Sequence, residues 1–276
     1  MTESEVTNGK AAPRVLATAV VPFGLLLTAA VVGPLRPPLL AALAIGWVVV
    51  RALSPRHATA WAATLPVAAI LAWASVYGRD IPLGAAACSN PLSTIALSRV
   101  LEATGVLTIV VVLAFILRVR PADIGLRGAD HGILAAAVGI AVLAAVGGLV
   151  IGPVLAAPFF GEVSFAMPAA AIVPALIFGV TNGVMEEVAY RGWLQSHLRP
   201  FVGAGGAIVL QGVTFGIAHA GPEVVGPLAL HVAQMSAAGI VAGVFAQRFG
   251  LLPVIAVHIG ADVALYFGLA CSAAPP

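Results

Sequence analysis

GILAAAVGIAVLAAVGGLVIGPVLA, residues 132–156, decides the class of fold. It is built only from Ala, Val, Leu, Ile and Gly with one Pro, and carries no charge and no amide. A helix of this length, at 1.5 Å per residue, is longer than the roughly 30 Å hydrocarbon core of a bilayer. The stretch does not alternate with a period of two, so a membrane β-barrel fits poorly. A helix satisfies every backbone group within its own segment, as lipid requires.

The rest of the chain has the same character. Of 276 residues, 61% are apolar and only 9% charged, against about 25% charged in a soluble domain. So few charges cannot cover a water-facing surface, and the main solvent is lipid. The net charge is +2 with no run of basic residues, so no nucleic-acid partner is expected. Apolar stretches recur near 15–33, 37–53, 58–77, 98–118, 132–156, 168–190, 203–219, 224–247 and 252–270. The expected fold is an all-α, polytopic transmembrane bundle of about 8–9 spans. The range allows for the first two spans, divided only by the Pro34–Pro38 turn, forming a hairpin or a re-entrant pair. Residues 1–14 read as a disordered tail, 15–131 as N-terminal transmembrane helices and 132–272 as a functional core. The first apolar stretch is too long for a signal-peptide core and lacks an A-x-A site. The amphipathic stretch Tyr190–Leu198 reads as lying along the interface, with Tyr190 and Trp193 in an aromatic belt.

Loop charge gives an orientation. One set of alternating loops holds Lys10, Arg14, Arg51, Arg56, Arg118, Arg120, Arg127, Arg199 and Arg248; the other holds Arg36, Arg79 and Arg99. The richer side is expected in the cytoplasm of a cell membrane, with the N-terminus inside and the C-terminus outside. Cys88 and Cys271 then share the outer side, where a disulfide is permitted; two unpaired small apolar residues are the other reading. Small residues at Gly147-Gly148, 203–206 and 237–243 read as points of close helix approach.

The informative charges lie inside the spans. Glu186, Glu187 and Arg191 stand in MEEVAYRGW, His219 in FGIAHAG, and His258 and Asp262 in VHIGAD. Ionisable groups cost several kcal/mol in a bilayer and there mark functional sites. Three helices carrying them suggest one shared interior site. Glu187 and Arg191 are four apart and can pair, which leaves Glu186 as the free carboxylate. Phe215 shares a face with His219, and His258 with Asp262. A carboxylate beside an imidazole can activate water, and a second imidazole can stabilise an oxyanion. No H-E-x-x-H motif or serine elbow is present, and a lone membrane aspartate makes no aspartyl dyad.

Glu186-Glu187-x-x-x-Arg191, Phe215-x-x-x-His219 and His258-x-x-x-Asp262, in that order on apolar helices, resemble the CPBP family of intramembrane proteases, also called type II CAAX prenyl endopeptidases or the Abi family. The resemblance covers roughly residues 165–270. It implies an endopeptidase acting on membrane-anchored protein or peptide substrates in the lipid bilayer, prenylated or CAAX-like ones among them. It assigns catalytic roles to Glu186 as base, His219 as its partner, and His258 with Asp262 at the oxyanion. Glu187, Arg191 and Phe215 are supporting residues. The last position is often Asn in that family, and an ionised Asp cannot donate a hydrogen bond, so Asp262 either carries a proton or only orients His258. No cofactor is expected; zinc held by the Glu-His-His set is the alternative. A proton-coupled transporter and an idle immunity protein of the same fold are the competing functions.

Other polar residues read as bystanders. His57, His131 and His197 are expected to be solvated or interfacial, His231 to hydrogen-bond Gln234 or a neighbouring helix, and Glu102 to reach the interface. One difficulty concerns depth. A seventh helix rising from Val202 puts His219 about 25 Å along its axis, whereas Glu186 lies near the cytoplasmic end of its own span. For the two to meet, the sixth helix must extend past Arg191, or the seventh must begin deeper or tilt.

Overall fold

A computed structural model describes residues 12–54, 57–77, 88–90, 94–160, 168–221 and 224–271. Among them are nine α-helices and no strand. They are α1 (Ala12–Val31), α2 (Arg36–Leu53), α3 (Ala58–Tyr77), α4 (Thr94–Leu117), α5 (His131–Phe160), α6 (Ile172–Glu186), α7 (Gln195–Ala218), α8 (Leu228–Phe249) and α9 (Leu251–Ala270). A π-helical segment, Glu187–Leu194, joins α6 to α7 without a loop. The nine helices match the nine expected stretches. Seven helical runs are long and apolar enough to cross a membrane; Val20–Val31 is apolar but shorter, and the 50-residue run Ala169–Ala218 contains two expected spans. The protein is therefore an all-α polytopic membrane bundle. α1 begins at Ala12, so 12–14 of the expected tail are helical; 1–11 lie outside the described residues.

Contacts between connections sort the ends of the helices into two faces. On one face the Leu251 amide donates to the Gly125 carbonyl at 3.0 Å, and Arg127 reaches the carbonyls of Gln247 and Arg248 at 3.5 Å. On the other, the amides of Val225 and Gly226 donate to the Phe159 carbonyl at 2.8 and 3.1 Å. Cys88 and Cys271 form a disulfide there with Cα atoms 5.2 Å apart, and the Tyr266 hydroxyl donates to the Cys88 carbonyl at 2.9 Å. The two pairings follow the alternation of spans read from the sequence. Gly250, at φ 87°, turns α8 directly into α9. This left-handed, extended geometry strains any residue with a Cβ.

Lipid replaces water as the outer solvent. On α5, Leu143, Val150 and Val154 are more than two-thirds exposed, which water would penalise and lipid does not. Inside, Leu26, Leu43, Val67, Met185, Tyr190 and Phe215 belong to one apolar core. Glycines set the tightest crossings. A Cβ on Gly260 would lie 2.1 Å from the Ala141 carbonyl oxygen, one on Gly239 would lie 2.9 Å from the Gly212 Cα, and one on Gly148 would lie 2.6 Å from the Ala264 Cβ. The expectation of close packing is realised at Gly148, Gly239 and Gly243, whereas a Cβ on Gly147, Gly203 or Gly205 would meet nothing within 4 Å.

Tyr190–Leu198 does not lie along the interface. The stretch continues the helix through the middle of the bundle, with Tyr190, Trp193, Leu194 and Leu198 buried. Trp193 Nε1 donates to the Ala62 carbonyl at 2.8 Å, so it is no belt residue. His197 is also buried, stacked on Trp193 with ring centroids 4.1 Å apart. The pattern of polar and aromatic residues is amphipathic, but α3 and the neighbouring helices cover both of its faces.

Candidate active site

The depth difficulty resolves in the first of the ways it can. The sixth helix extends past Arg191, through the π segment and on to Val202. The break comes at Gly203, with φ 73° and ψ 174°, a conformation open mainly to glycine. The π segment contains Glu187, Tyr190 and Arg191. Its looser turn is a recurrent feature of functional sites.

Glu187 and Arg191 form the ion pair that their spacing predicts, at 3.0 Å, with the Glu187 side chain 1% and that of Arg191 2% exposed. The guanidinium also lies over the Phe215 ring, 4.2 Å from its centroid. Arg191 thereby ties the π segment to α7 by cation–π contact. His258 comes from α9. Its Nδ1–H donates to Glu187 Oε1 at 2.7 Å, which turns Nε2 inward. That nitrogen stands 3.6 Å from Glu186 Oε2 and 3.6 Å from Asp262 Oδ2. Glu186, Glu187, Arg191, Phe215, His258 and Asp262 thus converge.

His219 caps the end of α7, half-buried, beside Phe215 with ring centroids 4.4 Å apart. Its Nδ1–H donates to the Phe215 carbonyl at 2.8 Å, leaving Nε2 as the engaging atom. No hydrogen bond or ion pair joins His219 directly to Glu186 among the described residues. His231 is buried elsewhere, against the rings of Phe159 and Phe160 at 5.2 and 5.4 Å.

Three elements of the site escape a motif search. Asn182 on α6 donates from Nδ2 to Asp262 Oδ2 at 3.0 Å, and its Oδ1 is buried. The amide that Asp262 itself lacks is therefore supplied from the facing helix. Gly179 and Gly183, one turn apart on α6, let α9 approach: a Cβ on Gly179 would lie 3.0 Å from the Ile259 carbonyl oxygen, and one on Gly183 would lie 3.3 Å from the Ile259 amide. This G-x-x-x-G pattern directly before the Glu pair is the readable signal for it. Glu102, expected to reach the interface, is 2% exposed and pairs with Arg99 on its own helix. Arg99 also sits over the Phe178 ring, 5.6 Å from its centroid. α4 packs against α6, which takes Glu102 away from water.

The zinc alternative requires three donors around one point. No group of three His, Cys, Asp or Glu side chains converges in that way among the described residues. Glu187 is occupied by Arg191, and His258 Nδ1 by Glu187.

Fold and site together define a multi-pass membrane protein with a buried glutamate–histidine–aspartate cluster between its helices. Residues 168–264 match the family described as Type II CAAX prenyl endopeptidase Rce1-like. Neither a curated protein nor a solved structure matches the chain. Over that segment the chain is similar to this family of membrane proteases. The matched segment runs from just before α6 into α9 and holds every residue of the cluster, while α1–α5 lie outside it.

Proposed function

We propose that the protein is an intramembrane endopeptidase that hydrolyses peptide bonds of membrane-anchored proteins or peptides, prenylated or CAAX-like ones included, with water activated by Glu186 and His219 and without a cofactor. The observation that carries this reading is the position of His258 Nε2, 3.6 Å from both Glu186 and Asp262. It sets a carboxylate base and a potential oxyanion donor around a single small space.

Glu186 Oε2 is buried and makes no hydrogen bond within the described protein, as suits a carboxylate whose work is to take a proton from water. The hydroxide formed attacks the scissile carbonyl carbon, and the carbonyl electrons move to its oxygen. His258 stabilises that oxyanion in its imidazolium form, since Nδ1–H is committed to Glu187 and Nε2 must also carry a proton to donate. Asp262, held by the Asn182 amide, orients His258. Collapse of the tetrahedral intermediate breaks the C–N bond, and the proton taken by Glu186 passes to the leaving amine. Glu187 and Arg191 hold His258 and Phe215 in place. The site works in membranes with the Arg-rich face in the cytoplasm, which puts the disulfide outside.

The test is a comparison of protein termini in membranes of cells carrying the wild-type protein and Glu186→Gln. New termini present only with the wild type are the expected result, and they name the substrates. Identical sets, with the variant equally abundant in the membrane, would overturn the reading.

A further inference from the structure

On the Arg-rich face, a cavity of ≈ 130 Å³ opens between the connection after α4, the π segment and the start of α7. Arg127, Arg191 and Arg199 line it from three separate elements, together with Gln195, Ser196 and Asp123. The only carboxylate among these six, Asp123, is held by Arg120 through two side-chain hydrogen bonds at 3.0 and 3.2 Å, and that pairing lowers its pKa below the usual carboxylate value. The Arg191 charge is shared with Glu187. Arg127 and Arg199 are exposed at the rim, and among the described residues the hydrogen bonds of Arg127 are long, 3.5 Å contacts to backbone carbonyls. Arg191, 4% exposed, has its Nε buried without a hydrogen-bond acceptor, and the Gln195 Oε1 is likewise unsatisfied.

We propose that this cavity binds the phosphate of an anionic phospholipid headgroup. Guanidinium groups converging on a small polar space match the geometry of a phosphate, which they engage with paired hydrogen bonds. The volume admits a phosphate group and excludes a whole headgroup, so the remainder of the lipid must leave through the rim. The depth fits as well: the cavity sits at the ends of spanning helices on the face that also carries Arg118, Arg120 and Arg248. Basic pockets between spanning helices at that level select anionic headgroups. The phosphate is the ligand for the exposed guanidinium groups of Arg127 and Arg199, with the buried charge of Arg191 behind them. The proposal stands apart from the proteolytic reading, although Arg191 lines both sites.

The test reads thermal unfolding of the full-length protein in nanodiscs. Discs of phosphatidylcholine alone are compared with discs containing phosphatidylglycerol, and phosphatidylcholine discs are also titrated with inorganic phosphate. Phosphatidylglycerol is expected to raise the midpoint by about 2–4 °C. The double variant Arg127→Gln, Arg199→Gln should lose that gain while matching the wild type in phosphatidylcholine, because both side chains are exposed. Native mass spectrometry of the wild type should show one retained phosphatidylglycerol, absent from single Arg199→Gln as well, which keeps the test valid if the double variant misfolds. A shift with inorganic phosphate but none with phosphatidylglycerol would overturn the lipid assignment in favour of a soluble anion. An equal phosphatidylglycerol shift in the variants, or no shift in the wild type, would overturn the site.

Discussion

Arg191 is the residue on which the candidate site turns. It neutralises Glu187, and Glu187 in turn aims His258. Removing one partner of a buried pair leaves an uncompensated charge, at about 3–5 kcal/mol. Arg191→Ala should therefore lower stability by that amount in detergent, measured by thermal unfolding, whereas Arg191→Lys should recover part of it. Asn182 has a positioning role. A hydrogen bond to a charged group is worth roughly 1.5–3 kcal/mol, so Asn182→Leu should lower stability by about that amount, read by thermal unfolding, and lower kcat/KM as Asp262 loses its orientation. The ion pair was readable because four-residue spacing survives even in the π segment. Asn182 was not, because its partner Asp262 lies 80 residues away on another helix and only the packed bundle joins them. The same reason hid Glu102. Near a span end its sequence context signals an exposed carboxylate, and its burial comes from α4 packing against α6.

At the scale of elements, the approach of α9 to α6 decides whether the site exists. Gly183 faces Ile259 and His258 so closely that a methyl group fits only if Ile259 shifts by a few tenths of an ångström, and a branched side chain does not fit. Gly183→Ala should be tolerated with a modest loss of activity. Gly183→Leu should abolish activity by pushing His258 off Glu187, and the companion stability measurement should show overpacking of about 1–3 kcal/mol. The spans themselves were legible because long apolar runs need no partner to be recognised. What packs on each face was not. Tyr190–Leu198 carries the pattern of an interfacial helix, and its burial depends on α3 and on the extension of α6 through the bilayer. The π segment leaves no mark in composition. Gly203 left one, since a glycine beside Pro200 and Val202 punctuates the long helical run, though its left-handed φ shows only in the structure.

For the whole molecule, the two faces have opposite chemistries: arginines gather on one, and the disulfide closes the other. In the proposed orientation, maleimide labelling of a single cysteine at position 123, in a background with Cys88 and Cys271 replaced, should require permeabilised cells. Labelling of intact cells would reverse the orientation. Protein extracted without reductant should migrate faster on denaturing gels than reduced protein, since the Cys88–Cys271 bond encloses most of the chain. Identical mobilities would remove the disulfide from the account.

The central claim is that Glu186 activates water in a site without metal. It is tested most directly by the purified protein, reconstituted in lipid, cleaving a membrane-anchored peptide whose terminus depends on the wild-type protein in cells. The account predicts that Glu186→Gln lowers kcat by at least about 10³-fold with an unchanged unfolding midpoint, and that a zinc chelator leaves wild-type cleavage intact. Cleavage by Glu186→Gln at the wild-type rate, or chelator inhibition reversed by added zinc, would contradict it.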